Sequence, residues 1–132
     1  MKELFEVKFN EVKQYEAYTE LCFSSASKRF SIFAQPQIGE WIREYKTGEY
    51  KSRPQAPEFV SSLLKGFNIK PCRLTFTGEK EGVYFSTLLL EKAEKQLTEL
   101  LEIDVRPSDG LMVALHFQIP IFALGSFINN AS

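Results

Sequence analysis

The sequence lacks the features that define several large classes of protein. It has two cysteines and one histidine among 132 residues, without a CxxC pair, which excludes a disulfide framework and a Cys/His zinc site. No apolar run approaches the roughly 20 residues that cross a bilayer, and no P-loop, GxGxxG, HExxH or GxSxG motif is present. The N-terminal residues mix acids and bases without an apolar export signal. We therefore expect a cytoplasmic protein with reduced cysteines and no membrane association.

An excess of charge of one sign is also missing. Sixteen basic and 17 acidic side chains give a formal net charge of −1, so the molecule as a whole has no field that would attract nucleic acid. Any contact with nucleic acid must therefore be a local patch.

The composition that remains is that of a folded globular domain. Hydrophobic residues make up 44% of the chain, 12 of them Phe, and only 7 Gly and 6 Pro are present. A chain of this length is expected to form one core. We predict a single domain over residues 1–132, with residues 126–132 as a loose tail.

Alternation of apolar and polar residues predicts the strands. The first stretch carries Phe5, Val7 and Phe9 on one side, with Glu6 and Lys8 between them. A hairpin is expected around residues 78–82, and the charged segment EKAEKQLTELLE after Leu90 reads as an insertion. The predicted strands are Leu4–Val12, Tyr18–Ser24, Phe30–Ala34, Arg73–Thr77, Val83–Leu90, Leu97–Val105 and Ile119–Leu124. The Leu-rich start of the segment 97–105 could also be helical.

Helical spacing predicts two main helices. Apolar residues from Phe59 to Phe67 recur at intervals of three and four, which gives one apolar face. Pro107 begins the second helix, because proline suits a first helical turn and Ser and Asp favour a helix start. A short helix is also expected over Gly39–Tyr45. The order of elements predicts an α+β fold with two helices packed on mixed, mainly antiparallel strands.

Two dipeptides hint at an internal repeat. Arg53-Pro54 and Arg106-Pro107 each precede an acid and then an apolar helix, 53 residues apart. A duplicated strand-helix-strand half would produce this pattern, and so would coincidence.

The segment Ile103 to Ala123, IDVRPSDGLMVALHFQIPIFA, resembles the signature of the bifunctional nuclease family. Asp104, the run Arg106-Pro107-Ser108-Asp109 and Pro120 match that signature, and weaker matches lie at residues 29–34 and 53–64. The resemblance implies a compact, often self-associating α+β domain that hydrolyses DNA and RNA with little sequence preference. The chain departs from the family at Ile38, where a glutamate is usual, and at Pro57, where a histidine is usual, so it looks like a divergent member.

The acids at motif positions are candidates for phosphodiester hydrolysis. That reaction needs an activated water and positive charge near the phosphate, commonly from Mg²⁺ or Mn²⁺ held by carboxylates. Asp104 ends a predicted strand and Asp109 starts the next helix, so both could face one cleft, hold the metal and act with Glu58. Arg106 between them would clamp a phosphate.

These same residues have a structural interpretation. Ser108 and Asp109 at a helix start are typical of a cap and of an acid that offsets the helix dipole. Arg106 could simply pair with Asp109. His116 could be a proton carrier, although in so apolar a helix a partly buried structural role is favoured.

A second candidate surface is the segment REYKTGEYKSR, residues 43–53. Aromatic side chains among basic ones are typical of single-strand binding by stacking and phosphate neutralisation. A solvated linker with charge pairs explains the segment equally well. The candidate substrate-binding residues are Arg43, Tyr45, Lys46, Tyr50, Lys51 and Arg53.

Two functional hypotheses follow. The first is a sequence-nonspecific nuclease acting on DNA, RNA or both. The second is a non-catalytic interaction or assembly module on the same fold, since the net charge is near zero and the family histidine is absent. With 12 Phe, 5 Tyr and 1 Trp, some aromatic residues are expected at an interface of a homo-oligomer.

Overall fold

A computed structural model describes residues 3–49 and 53–131. Seven strands and four helices follow one another along the described chain in the order βββααβββαβα. The strands are β1 (Leu4–Gln14), β2 (Thr19–Ser25), β3 (Lys28–Ala34), β4 (Ile69–Lys80), β5 (Val83–Glu94), β6 (Leu97–Val105) and β7 (Ile121–Leu124). The helices are α1 (Pro36–Thr47), α2 (Ala56–Gly66), α3 (Pro107–Phe117) and α4 (Gly125–Ala131).

All seven strands form one mixed sheet in the order β3-β2-β1-β7-β4-β5-β6. Every pairing is antiparallel except the one between β4 and β7, which is parallel. Because β7 is antiparallel to β1 and parallel to β4, those two flanking strands run in opposite directions. The α+β class and the mainly antiparallel sheet predicted from the sequence are confirmed.

Tight turns join the strands of each antiparallel hairpin. Glu81 and Gly82 connect β4 to β5 with φ values of 53° and 82°, and two such residues are typical of the turn that matches strand twist. The segment after Leu90 is not an inserted loop. Residues Glu91 to Glu94 extend β5 and pair with residues 97–100 of β6, so the expected insertion is a longer hairpin.

One face of the sheet carries the core and all four helices. Alternate β5 residues Tyr84, Leu88 and Leu90 point to this face, where Tyr84 meets Phe127 of α4 and the two leucines line a cavity with residues of α1, α2 and α3. Phe23, Phe76 and Phe127 are each 1% exposed or less. The opposite face has no helix in the described chain and leaves Phe85 43% exposed.

The C-terminal tail is a correction to the sequence prediction. Residues 125–131 form α4 rather than a loose end, because Phe127 inserts into an aromatic cluster with ring centroids 5.6 Å from Phe30 and 5.5 Å from Phe76. The Lys28 amine also donates to the Asn129 side-chain carbonyl at 2.6 Å. A seven-residue polar-ended segment carries too little periodicity for its helix to be predicted.

The fold contains two similar units, but not at the dipeptides the sequence suggested. Each unit is a three-stranded meander followed by a helix: β1, β2, β3 and α1, then β4, β5, β6 and α3. Both helices begin with Pro-x-x-Gly, at Pro36 to Gly39 and at Pro107 to Gly110. Arg53-Pro54 precedes α2, which follows a helix and not a meander, so its match with Arg106-Pro107 was wrong.

Both glycines permit close approach of helix to sheet. A Cβ at Gly110 would lie 2.4 Å from Leu74 Cδ1, and a Cβ at Gly39 would overlap the Gln14 amide and lie 3.0 Å from Thr19 Oγ1. Within the described ranges, no helix is long and apolar enough to cross a membrane.

Candidate functional site

The N-terminal ends of α1 and α3 line one open cleft of about 640 Å³. The β4–β5 turn and the end of β3 complete its walls, and they add two aromatic residues, Phe33 and Tyr84. The Phe33 ring also lies 5.6 Å from the ring of Tyr18. Burial raises the pKa of the Tyr84 hydroxyl, so this phenol stays protonated at neutral pH. The lining residues are Ala17, Ile32, Phe33, Ala34, Gln35, Pro36, Ile38, Gly82, Val83, Tyr84, Arg106, Pro107 and Ser108.

The start of α3 brings the Arg-Pro-Ser-Asp motif to this cleft. Arg106 is the extended N-cap residue, with φ −67° and ψ 144°, and Pro107 is the first helical residue. The structure places no side-chain cap there, so the expected capping role of Ser108 was wrong. Ser108 is the second helical residue, 8% exposed, and lines the cleft.

Arg106 and Asp109 form a two-point ion pair across the first turn of α3. Nε of the guanidinium donates to Oδ2 at 2.7 Å and Nη2 donates to Oδ1 at 3.1 Å. This hydrogen bonding, with the negative charge of Asp109, raises the pKa of Arg106 above its usual range. Both side chains are about half exposed or more, so we assign the pair a geometric role, since screened surface pairs contribute little stability.

The start of α1 differs from that of α3. The buried Thr19 hydroxyl accepts a hydrogen bond from the Gly39 amide at 3.3 Å and donates to the Gln35 carbonyl at 3.0 Å. The residues that correspond to Arg106 and Ser108 are Gln35 and Gln37. The α1 end of the cleft is therefore closed by the protein's own hydroxyl and lacks a basic side chain from its motif.

Asp104 does not join Asp109 in the cleft. Successive residues of a strand point to opposite faces, and its neighbours Ile103 and Val105 line a cavity under the helices together with Asp109. Asp104 pairs with Thr87 on β5 and lies on the helix-free face. The convergence of the two carboxylates expected from the sequence was therefore wrong.

Glu58 lies apart from both aspartates, in the first turn of α2. Its Oε1 accepts a hydrogen bond from the Gln55 amide at 2.7 Å at the start of α2, and its Oε2 is 3.7 Å from His116 Nε2. His116 is seven residues beyond Asp109, which is about 10 Å along a helix. Glu58 therefore acts as a helix-start acceptor and is not gathered with the acids of the motif.

The described residues do not fit a metal held by a carboxylate cluster. No three His, Cys, Asp or Glu side chains in the described parts of the chain come together as metal ligands, and Asp104 and Asp109 lie on different faces of the sheet. Because the expected Mg²⁺ or Mn²⁺ ligands are separated, we derive no chemical step through a metal bound by the protein.

The described part of the basic and aromatic segment 43–53 does not form a continuous stacking surface. The Tyr45 hydroxyl donates to the Leu115 carbonyl at 2.5 Å, and its ring stacks on His116 at a centroid distance of 4.8 Å. Lys46 lies over the Phe9 ring at 5.4 Å. Arg43 and Arg53 are exposed.

Tyr45 is thus turned into the protein, which corrects its expected role as a stacking residue. The predicted contacts at Tyr50 and Lys51 lie outside the described residues. Pro36 and Lys46 lie about 15 Å apart along α1 at 1.5 Å per residue, so this segment and the cleft are at opposite ends of the helix.

The two cysteines have the properties expected of unreactive thiols. Both are free, and burial is the largest cause that raises the pKa of Cys22 and of Cys72. The thiolate is the reactive form of cysteine. Nucleophilic catalysis by either residue is therefore disfavoured.

The aromatic partners of the motif in the cleft were not predicted from the sequence. Phe33 is at the end of β3, and Tyr84 follows the β4–β5 turn; neither has a local pattern that sets it apart from core or surface aromatics. The paired Pro-x-x-Gly helix starts were a usable signal, because the same spacing occurs at Pro36 and Pro107.

Comparison with known proteins shows the family to which this site belongs. The family described as the bifunctional nuclease domain matches residues 21–132, a range that includes both helix starts of the cleft and the Arg-Pro-Ser-Asp turn. A search of curated proteins gave no match. A nuclease-like function is what membership of this family indicates, at the level of the family as a whole. From a match that covers nearly the whole chain, we conclude that the protein belongs to the bifunctional nuclease domain family.

Proposed function

We propose that the protein is a nuclease that hydrolyses phosphodiester bonds in DNA, RNA or both, with little sequence preference. The observation that carries the proposal is the position of the motif: Arg106, Pro107 and Ser108 line an open cleft together with two aromatic side chains. Family membership supports the same reaction class. The cleft volume of about 640 Å³ is within the range of small-ligand sites, roughly 300–1,000 Å³.

Arg106 has the chemistry to stabilise the reacting phosphate. Its guanidinium would bind the non-bridging oxygens and neutralise the negative charge that grows on them in the transition state. Asp109 holds two of the guanidinium N–H groups, so its role is to position Arg106.

The aromatic side chains provide surfaces for bases. Phe33 is 51% exposed, and Tyr84 lines the same cleft. Stacking on an aromatic ring tolerates every base, because each base has a π face. This arrangement supports cleavage without a strong sequence preference.

The test is cleavage of single-stranded RNA and supercoiled plasmid in Mg²⁺, Mn²⁺ or EDTA. We expect Arg106→Gln to lower kcat about a hundredfold, the usual effect of removing one donor to a developing oxyanion. Asp109→Asn should lower kcat while KM stays unchanged or falls, because the amide no longer orients Arg106 and the site loses a negative charge.

Two control variants separate this geometry from the arrangement expected from the sequence. Asp104→Asn lies on the helix-free face, and Glu58→Gln retains a side-chain oxygen for the capping hydrogen bond, so both should keep the parent cleavage rate. Circular dichroism must show that each variant is folded. Absence of cleavage by the parent protein in every condition, or an unaltered rate in Arg106→Gln, would contradict the proposal.

Assembly through a second copy of the chain is the alternative function, favoured by an exposed apolar surface. Phe59 and Leu63 on α2 and Phe67 directly after it are 60%, 44% and 65% exposed, and self-association is what the family resemblance implies. Light scattering of the parent and of Phe59→Glu tests it. A dimer that dissociates in the variant, with no cleavage by the parent, would favour assembly over catalysis.

A further inference from the structure

A buried serine at the start of α3 has no hydrogen-bond partner in the described chain. Ser108 is 92% buried by its 8% exposure, yet it lines the cleft, and its hydroxyl makes no hydrogen bond to another described residue. The hydroxyl oxygen itself is not enclosed, so it is open to the cleft that the residue lines. A ligand in the cleft could therefore accept a hydrogen bond from it.

The backbone at the same place presents further donors. The first N–H groups of a helix have no acceptor within the helix, and the first intrahelical bond of α3 is the one from the Gly110 amide to the Arg106 carbonyl. The amides of Ser108 and Asp109 are therefore free of intrahelical acceptors. They lie at the positive end of the helix dipole, which favours an anion.

Arg106 supplies positive charge beside these donors. A guanidinium has five N–H groups, and two of them donate to Asp109. The three that remain belong to a residue that lines the cleft, and they are available to a ligand. The other helix start in the cleft offers no equivalent, since Thr19 closes α1 and glutamine stands where α3 has arginine.

We propose that the start of α3 is a phosphoryl-binding site formed by the Ser108 hydroxyl, the amides of Ser108 and Asp109, and the Arg106 guanidinium. The site deepens the proposed function and rests on it only for the origin of the phosphate. A phosphoryl group offers several anionic oxygens, which match a hydroxyl, two amides and a guanidinium. The group could belong to an internal diester of a nucleic-acid strand or to a terminal or free phosphate.

Titration with inorganic phosphate, followed by amide chemical shifts, tests the site in the full chain. We expect saturable shifts centred on Ser108 and Asp109. Ser108→Ala should weaken phosphate binding about threefold to tenfold, as for one neutral hydrogen bond, and Arg106→Gln about tenfold or more, since its bonds are charge-assisted.

Two further variants make the result specific. Ser61→Ala removes a buried hydroxyl without a partner on α2, outside the cleft, and should leave phosphate affinity unchanged. Asp109→Asn removes the competing carboxylate and should tighten phosphate binding severalfold, although the same change is expected to lower kcat. No saturable shift at the start of α3, or equal weakening in Ser61→Ala and Ser108→Ala, would overturn the site.

Two ligands distinguish whether the bound phosphate is an internal diester or a terminal group. A dinucleoside monophosphate carries only an internal diester, and a nucleoside 5′-monophosphate carries only a terminal group. Tighter binding of the first assigns the site to the strand backbone, and tighter binding of the second assigns it to a strand end. Saturable phosphate binding without any cleavage supports this site and contradicts the nuclease proposal, so the two fail separately.

Discussion

At the scale of residues, His116 is held in an environment that opposes its charge. Its side chain is 10% exposed and stacks on Tyr45. Burial is the main cause that lowers the pKa of His116, and Lys65 also lowers it, while Glu58 acts in the opposite direction. Because burial dominates, the imidazole is neutral at pH 7, and its approach to Glu58 at 3.7 Å is not an ion pair there.

The free energy of unfolding should therefore fall as the pH drops below about 6.5, the usual pKa of histidine. Below that pH the unfolded chain binds a proton that the folded chain binds less readily, which favours unfolding. Urea denaturation at pH 7.5 and 5.5 measures the change, and His116→Gln should show a smaller one. Since His116 is the single histidine, an equal pH dependence in both proteins would contradict the assignment.

Gly110 is the residue at which an added methyl group should be most damaging in α3. An alanine Cβ would lie 2.4 Å from Leu74 Cδ1 and 3.2 Å from Val105 Cγ2, and Leu74 is fully buried. We expect Gly110→Ala to destabilise the protein by about 1–3 kcal/mol through overpacking, measured by urea unfolding.

Gly66→Ala is the matched control for this glycine. Gly66 ends α2 and has nothing within 4 Å of an added Cβ, so the substitution should stabilise by about 0.4–1 kcal/mol. Stabilisation by both alanines would show that α3 does not press against β4 at Gly110.

The start of α3 could be predicted from its residues. The face of the sheet to which the side chains of Asp104 and Asp109 point could not. Proline at position 107 and the acid at 109 are local signals that any helix start shares. The side of the sheet on which Asp104 lies depends on the register of β6 against β5, which is set by the long hairpin. The orientation of Tyr45 was likewise not predictable from the sequence. It depends on the packing of α1 against α3, which directs the Tyr45 hydroxyl to the Leu115 carbonyl.

At the scale of elements, α4 holds the end of the chain against the core. Phe127 is 1% exposed and contacts rings from β3 and β4, strands from different meanders. The helix therefore links the two repeated units.

Phe127→Ala should destabilise the protein by about 3–5 kcal/mol, the usual cost of removing a buried phenylalanine ring. The control is Asn130→Ala at an exposed position of the same helix, which should change stability by less than about 0.5 kcal/mol. Thermal and urea unfolding measure both. A small effect at Phe127 would mean that the tail is loose after all.

Element type was predictable where periodicity was strong and long. The alternation in β1 and the apolar face of α2 gave correct assignments at nearly correct limits. The extent of β5 and β6 was not predictable, because residues 91–100 are mostly charged or exposed and pair only through the backbone of the hairpin. The order of strands around β7 also required the structure, since β7 pairs with strands far from it in sequence.

At the scale of the whole molecule, a net charge of −1 makes nucleic-acid binding depend on few basic residues. If a single strand binds in the cleft, Arg106 is the one basic side chain of its described lining. The log of the binding constant should then fall with the log of salt concentration at a slope of about −1, from roughly −0.7 for each phosphate neutralised.

Binding by the four basic residues of segment 43–53 would instead give a slope of about −3 by the same relation. Fluorescence anisotropy with a labelled oligonucleotide at several salt concentrations distinguishes the two surfaces. Arg106→Gln should make the slope shallower, and Arg43→Gln should not. A steep slope reduced by Arg43→Gln would move the binding surface from the cleft to the C-terminal end of α1.

The β6 strand pairs with β5 on one side and forms an edge of the sheet on the other. Leu97, Leu100 and Leu101 are each more than half exposed, on an outer strand of the sheet, which is the kind of template on which chains aggregate. Three carboxylates, Glu99, Glu102 and Asp104, are spaced along that same strand. Two copies aligned edge to edge would bring like charges together, so we expect that replacing Asp104 by a neutral residue lowers the concentration at which the protein precipitates.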